Sequence, residues 1–167
     1  METKTATCEM ESFNWQKKYN DWRKKVFQDT NSLTPNAQQQ VVLNVIHDRR
    51  LVEFAVENDE PIPETTSCPC PLLRLIHGLP GSGKTQLLLW IRSYFEEVWS
   101  WTLGKEFVFL APLNSMASNI QGSTVHSWGH IGFKDKRGVM INTSSQPTSE
   151  EVPSLTPQCN AARFIFI

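Results

Sequence analysis

The feature that most restricts what this chain can fold into is the octapeptide Gly78-Leu79-Pro80-Gly81-Ser82-Gly83-Lys84-Thr85. Three of the eight glycines in the chain fall within it. An apolar run, Leu72 to His77, precedes it, and a strongly apolar stretch with helical spacing, Lys84 to Trp101, follows. Strand, glycine-rich loop and helix in that order predict an α/β fold with the loop at the start of the helix. The glycines let the backbone close around an anion in conformations that a side chain forbids. The loop amides and the helix start offer unpaired N–H groups and the positive end of a dipole. Lys84 adds a mobile charge for β- and γ-phosphates, and Thr85 adds a hydroxyl able to ligate magnesium. The spacing is Gly-x4-Gly-Lys-Ser/Thr, the Walker A pattern. The expectation is a site for a nucleoside triphosphate and Mg2+ in which residues Gly78, Leu79, Pro80, Gly81, Ser82, Gly83, Lys84 and Thr85 bind the nucleotide. Lys84 and Thr85 carry the catalytic role there, with Thr85 also the metal ligand. The competing reading is a glycine-rich turn followed by a solvated lysine.

The remaining composition narrows the partners. A chain of 167 residues has room for one domain of ordinary size. Its net charge is −1, so any nucleic-acid contact must be local rather than driven by a global positive field. No apolar run approaches membrane-spanning length, and the start METKTATCEMESF lacks the charged-then-apolar pattern of a signal peptide. The expectation is a soluble intracellular chain with no membrane partner. Cys68-Pro69-Cys70 is a lone C-x-C, and with Cys8 and Cys159 it reads as reduced thiols rather than a zinc site, even with His77 nearby.

Residues 1–13 are polar and expected to fray. Trp15, Tyr19, Trp22 and Val26 then form one helical stripe over 14–27, with Lys17, Lys18, Arg23, Lys24 and Lys25 mainly off it. That pattern fits a helix docked on a neighbour with a solvated basic face, and also a basic aromatic helix touching nucleic acid. Thr34 as N-cap and Pro35 at the first position open a second helix that runs to about Asn58. The stretch 58–71 holds four prolines and reads as a loop, after which Leu72 to His77 reads as a buried strand. Glu106 to Ala111 is another strand, stopped by Pro112, and Asn114–Ile120 and Thr124–His130 read as short helices. Residues 134–160 form a polar Ser/Thr/Pro-rich connection open to disorder, and Arg163–Ile167 is a final apolar strand.

The segment Phe107-Val-Phe-Leu-Ala-Pro112-Leu-Asn-Ser-Met-Ala-Ser-Asn-Ile120-Gln-Gly122-Ser-Thr124-Val-His126-Ser127 resembles the strand-plus-loop of the Pif-one-like, RecD-related DNA helicases of superfamily one. Ala111, Pro112, Ala117, Ile120, Gly122, Thr124, His126 and Ser127 stand as that family's pattern asks, whereas Leu113, Asn114 and Ser115 replace its usual Thr-Gly-Lys. In the family this segment lies along single-stranded DNA, which implies DNA contacts from Pro112, Asn114, Thr124 and His126. Upstream, Leu33-Thr-Pro-Asn-Ala-Gln38-Gln-Gln looks like the family's Gln motif. There a glutamine amide meets both edges of adenine; Gln38 is the choice here and Gln39 the runner-up. The resemblance covers about residues 32–133 and the final strand.

The resemblance implies a partial RecA-like P-loop domain over 32–167, a parallel sheet with flanking helices, preceded by an amino-terminal extension over 1–31. It implies an ATP-dependent DNA helicase, 5′-to-3′, acting on single-stranded DNA and duplex junctions in repair, recombination and telomere maintenance, in the nucleus or mitochondrion. In the family the Walker B pair Asp-Glu follows a strand like Arg163–Ile167 directly. The expectation is therefore a fragment truncated at the Walker B strand, inactive as an isolated chain and able at most to bind ATP. Its P-loop strand would lack sheet neighbours. A non-catalytic nucleotide-binding remnant is the alternative. A small P-loop kinase is a further one, without an evident basic lid.

Overall fold

A computed structural model describes residues 2–28, 33–62, 72–129 and 159–167. Of the expected connection over 134–160 all but the last two residues, which are helical, lie outside the described residues, as do 63–71 of the expected loop with the cysteines at 68 and 70, and the expected boundary at 31/32. The chain forms two compact units, Met1–Tyr94 and Phe95–Ile167.

The first unit begins with α1, Glu2–Gln28. It is longer than the aromatic stripe alone predicts, because residues 2–13 contain no glycine or proline to stop a helix already phased by that stripe. The stripe faces inward. Trp22 and Val26 are buried, Tyr19 stacks on His47 at 3.7 Å and 6°, and Trp22 Nε1 donates to Ser93 Oγ at 2.8 Å. Lys17, Arg23, Lys24 and Lys25 stay exposed, so α1 is an amphipathic helix docked through its aromatics.

Helix α2 spans Ala37–Glu57. Its N-cap is Asn36, not Thr34, and Pro35 lies buried just outside the helix rather than in its first position. The reason is a reciprocal pair: Gln39 N–H donates to Asn36 Oδ1 at 3.0 Å, and Asn36 N–H donates to Gln39 Oε1 at 2.9 Å. Leu43, Ile46, Val52 and Ala55 supply its buried stripe.

Leu72–His77 is not the buried strand that its apolar run predicts. It is irregular and exposed, with Leu73 93% and Leu75 87% accessible, and no strand pairs with it among the described residues. A mostly apolar run becomes a buried strand only where sheet neighbours cover it. The loop and α3, Lys84–Val98, follow. Helix α3 stops short of the expected Trp101 because Ser100 takes a left-handed φ of 55°. The Trp101 amide then turns back to the Phe95 carbonyl at 3.0 Å.

The second unit holds a three-stranded parallel sheet in the order β2-β1-β3. The strands are β1 at Phe107–Ala111, β2 at Ser123–Thr124 and β3 at Phe164–Phe166. All five β1 residues are buried, as a central strand of a parallel sheet requires. Phe107, Val108 and Phe109 register with Phe164, Ile165 and Phe166, and Leu110 and Ala111 with Ser123 and Thr124. Phe95 packs against Trp101, Phe107 and Phe164 with ring centroids about 5 Å apart. Between β1 and β2 runs α4, Asn114–Asn119, and β2 leads directly into α5, Val125–Trp128. The fold is α/β: three parallel strands with helices beside them.

Candidate functional site

The glycine loop of the first unit is built from three glycines with different reasons for being glycine. Gly81 and Gly83 sit at φ of 81° and 80°, the left-handed region that side chains rarely enter. A Cβ on Gly78 would lie 2.7 Å from Ser82 Oγ, and one on Gly83 would lie 2.7 Å from Gln39 Nε2. The chain therefore folds tightly enough for Lys84 to reach back across it. Lys84 Nζ donates to the carbonyls of Gly78 at 2.8 Å and Leu79 at 2.9 Å, and to Ser82 Oγ at 3.3 Å. Ser82 N–H closes onto the Leu79 carbonyl at 3.1 Å. Among the described residues nothing accepts from the amides of Gly81, Gly83, Lys84, Thr85 or Gln86, so the loop and the first turn of α3 present open N–H groups. The Thr85 hydroxyl is exposed and likewise without a hydrogen-bond partner among them.

The loop borders a cleft of about 340 Å³ lined by residues of α2, the 74–77 segment, the loop and α3. Among the described residues Arg74, His77 and Lys84 are its ionisable ones, and no Asp or Glu lines it. An anion entering there meets cationic groups and open amides without a facing carboxylate. Asn36, Gln38 and Gln39 line the α2 side. Gln39 touches the loop: its Nε2 donates to the Gly83 carbonyl at 3.3 Å and to that of Ser82 at 3.5 Å. With Oε1 held by Asn36, the Gln39 amide is committed at both ends. Gln38 is exposed, lines the same cleft and has no hydrogen-bond partner for its amide among the described residues. Sequence reasoning set Gln38 and Gln39 against each other for one role; the geometry separates them. The signal for Gln39 was the Asn36-x-x-Gln39 spacing of a capping box. Arg74 had no motif to mark it.

Pro112, Asn114, Thr124 and His126 lie in the second unit. The register Ala111↔Thr124 brings them to the carboxyl ends of the adjacent parallel strands β1 and β2. Pro112 is exposed after β1, and Asn114 is the exposed first residue of α4, its carbonyl accepting from Ser118 Oγ at 3.0 Å. Thr124 Oγ1 accepts from the Ser127 amide at 3.1 Å and caps α5, which carries His126 half-buried. Gly122 is required here: a Cβ would stand 2.3 Å from the Phe109 carbonyl oxygen.

No helix among the described residues is long and apolar enough to cross a membrane. Among them no group of three or more His, Cys, Asp or Glu could hold a metal ion, and Cys159 is an exposed free thiol. No family model matches the chain, and no curated protein or solved structure matches it.

Proposed function

We propose that this chain binds a nucleoside triphosphate, ATP with Mg2+, through the loop Gly78–Thr85. The observation that carries the reading is the loop itself: two left-handed glycines, a lysine folded across it, and open amides entering α3, beside a cleft with cationic groups and, among the described residues, no carboxylate. Lys84 would leave the carbonyls of Gly78 and Leu79 for phosphate oxygens, a stronger charge-assisted partner. The amides of Gly83, Lys84 and Thr85 would meet the remaining phosphate charge at the dipole end of α3. Thr85 is the side chain free to ligate magnesium that arrives with the phosphates, and magnesium supplies charge neutralisation between them. Gln38 is the glutamine with an amide free for the two edges of adenine. Lys84→Ala is expected to weaken ADP binding, measured by calorimetry, about a hundredfold or more. Retained affinity would remove the loop from the reading.

The finer reading is the nucleotide lobe of an ATP-dependent DNA helicase, with Pro112, Asn114, Thr124 and His126 contacting single-stranded DNA. Its support is the resemblance over 107–127 and the gathering of those four residues at the carboxyl ends of β1 and β2, where ligands of parallel sheets bind. Anisotropy of a labelled oligo-dT checks it: binding weakened in Thr124→Ala and His126→Ala supports it. Nucleotide binding without oligo-dT binding leaves the non-catalytic nucleotide-binding reading.

A further inference from the structure

The glutamine that does not face the cleft freely has a distinct use. We infer that Gln39 is a positioning residue: its amide ties the start of α2 to the glycine loop and so sets the shape in which the loop receives phosphates. This rests on the nucleotide reading of the same loop.

The two ends of the amide do different work. Oε1 accepts from the Asn36 amide at 2.9 Å and completes the cap of α2. Nε2 donates to the carbonyls of Gly83 at 3.3 Å and Ser82 at 3.5 Å, at a spot where a Cβ on Gly83 would stand 2.7 Å away. Those two carbonyls belong to the peptides on either side of the Gly83 α-carbon, so holding them fixes which way the Gly83 and Lys84 amides point. A carbonyl turned toward Gln39 leaves its peptide N–H turned the opposite way, because the peptide unit is planar and trans. Only a side chain with a donor and an acceptor on one planar head can serve cap and loop together. Glutamate is the usual partner for the cap alone. Gln38, one residue earlier, lines the same cleft, and its amide has no hydrogen-bond partner among the described residues. Adjacent glutamines thus divide the work, one shaping the phosphate end and one left for the base.

Gln39→Glu separates these roles, since it keeps the acceptor for Asn36, removes the donor and sets a carboxylate against two carbonyls. Gln38→Glu is the control, adding the same charge to the same cleft without touching the loop. The probes are ADP and inorganic tripolyphosphate, with the backbone amide resonances of Gly83 and Lys84 followed by NMR in the ligand-free chain. The expected result is an unchanged melting temperature for Gln39→Glu with both amide resonances moved, whereas Gln38→Glu leaves them in place. Affinity for both probes should fall about tenfold beyond any loss in Gln38→Glu. Gln38→Glu should weaken ADP more than tripolyphosphate. Equal losses in the two variants with both amide resonances unmoved in Gln39→Glu would assign the effect to charge and overturn the positioning role. If the unaltered chain binds neither probe, the nucleotide reading falls and this role with it. If the unaltered chain binds and Gln39→Glu binds equally well, the positioning role alone falls.

Discussion

His47 sits among rings, stacked on Tyr19 at 3.7 Å, with Trp15 at 6.1 Å and its Nδ1 sharing a 2.8 Å hydrogen bond with the Tyr94 hydroxyl. Burial, helped by the nearby positive charge of Arg23, lowers its pKa to about 4 from the ordinary 6.5. The folded state therefore keeps His47 neutral where the unfolded state binds a proton. Stability is fully present above pH 6.5 and is lost as pH falls toward about 4. At ~1.4 kcal/mol per pH unit the loss approaches ~3 kcal/mol. Asp48 works the other way, since burial pushes its carboxyl up and the folded state takes up that proton more readily at the acid end. The urea midpoint should decline between pH 6.5 and 4, and His47→Phe should flatten that decline while leaving the Asp48 contribution in place. An equal decline in His47→Phe would show that the imidazole is not its source.

The crossover from β1 through α4 to β2 turns on Gly122. Gln121 before it takes a φ of 52°, and the Gly122 amide returns to the Ala117 carbonyl at 2.9 Å. A methyl group at 122 would sit 2.3 Å from the Phe109 carbonyl oxygen and 2.9 Å from its Cβ, so strand β1 or the turn must move. Gly122→Ala should cost about 2 kcal/mol or more by the overpacking it forces. Gly104→Ala has open space around it and strain only from its φ of 90°, so it should cost about 1–2 kcal/mol. Urea unfolding of both variants checks the order. The contrast also marks what the sequence discloses. Strand β1 was legible to within a residue because five consecutive apolar side chains are buried. The pair Ser123–Thr124 carries no apolar pattern, so β2 is unreadable in the sequence, where Ser123 falls to no element and Thr124 opens the helix expected over Thr124–His130. The cap of α2 was misplaced because Thr34-Pro35 is as good a start signal as Asn36, and only the answering Gln39 side chain decides between them. The glycine loop is legible because its conformation restricts residue type at its glycines, whereas Arg74 and His77 reach the cleft through chain geometry that no spacing rule encodes.

At the scale of the molecule, leucine has two opposite environments. Leu43 is 5% accessible on α2, while Leu73 is 93% accessible on the segment before the loop. Sequence alone gave Leu73 to a buried strand, since local pattern reports hydrophobicity and not whether a neighbouring strand exists to cover it. Large apolar side chains held in an unpaired segment favour association between molecules rather than stability within one. Leu73→Lys removes such a side chain from solvent at almost no folding cost, as exposed substitutions shift stability by within about 0.5 kcal/mol. Leu43→Ala empties buried volume and should cost about 2–5 kcal/mol. The expected pair of results is an unchanged melting temperature with reduced light scattering at high concentration for Leu73→Lys, and a lowered melting temperature for Leu43→Ala. A melting temperature lowered as far by Leu73→Lys as by Leu43→Ala would mean that Leu73 is covered in solution, and the 72–77 segment would then be a strand as its apolar run predicts.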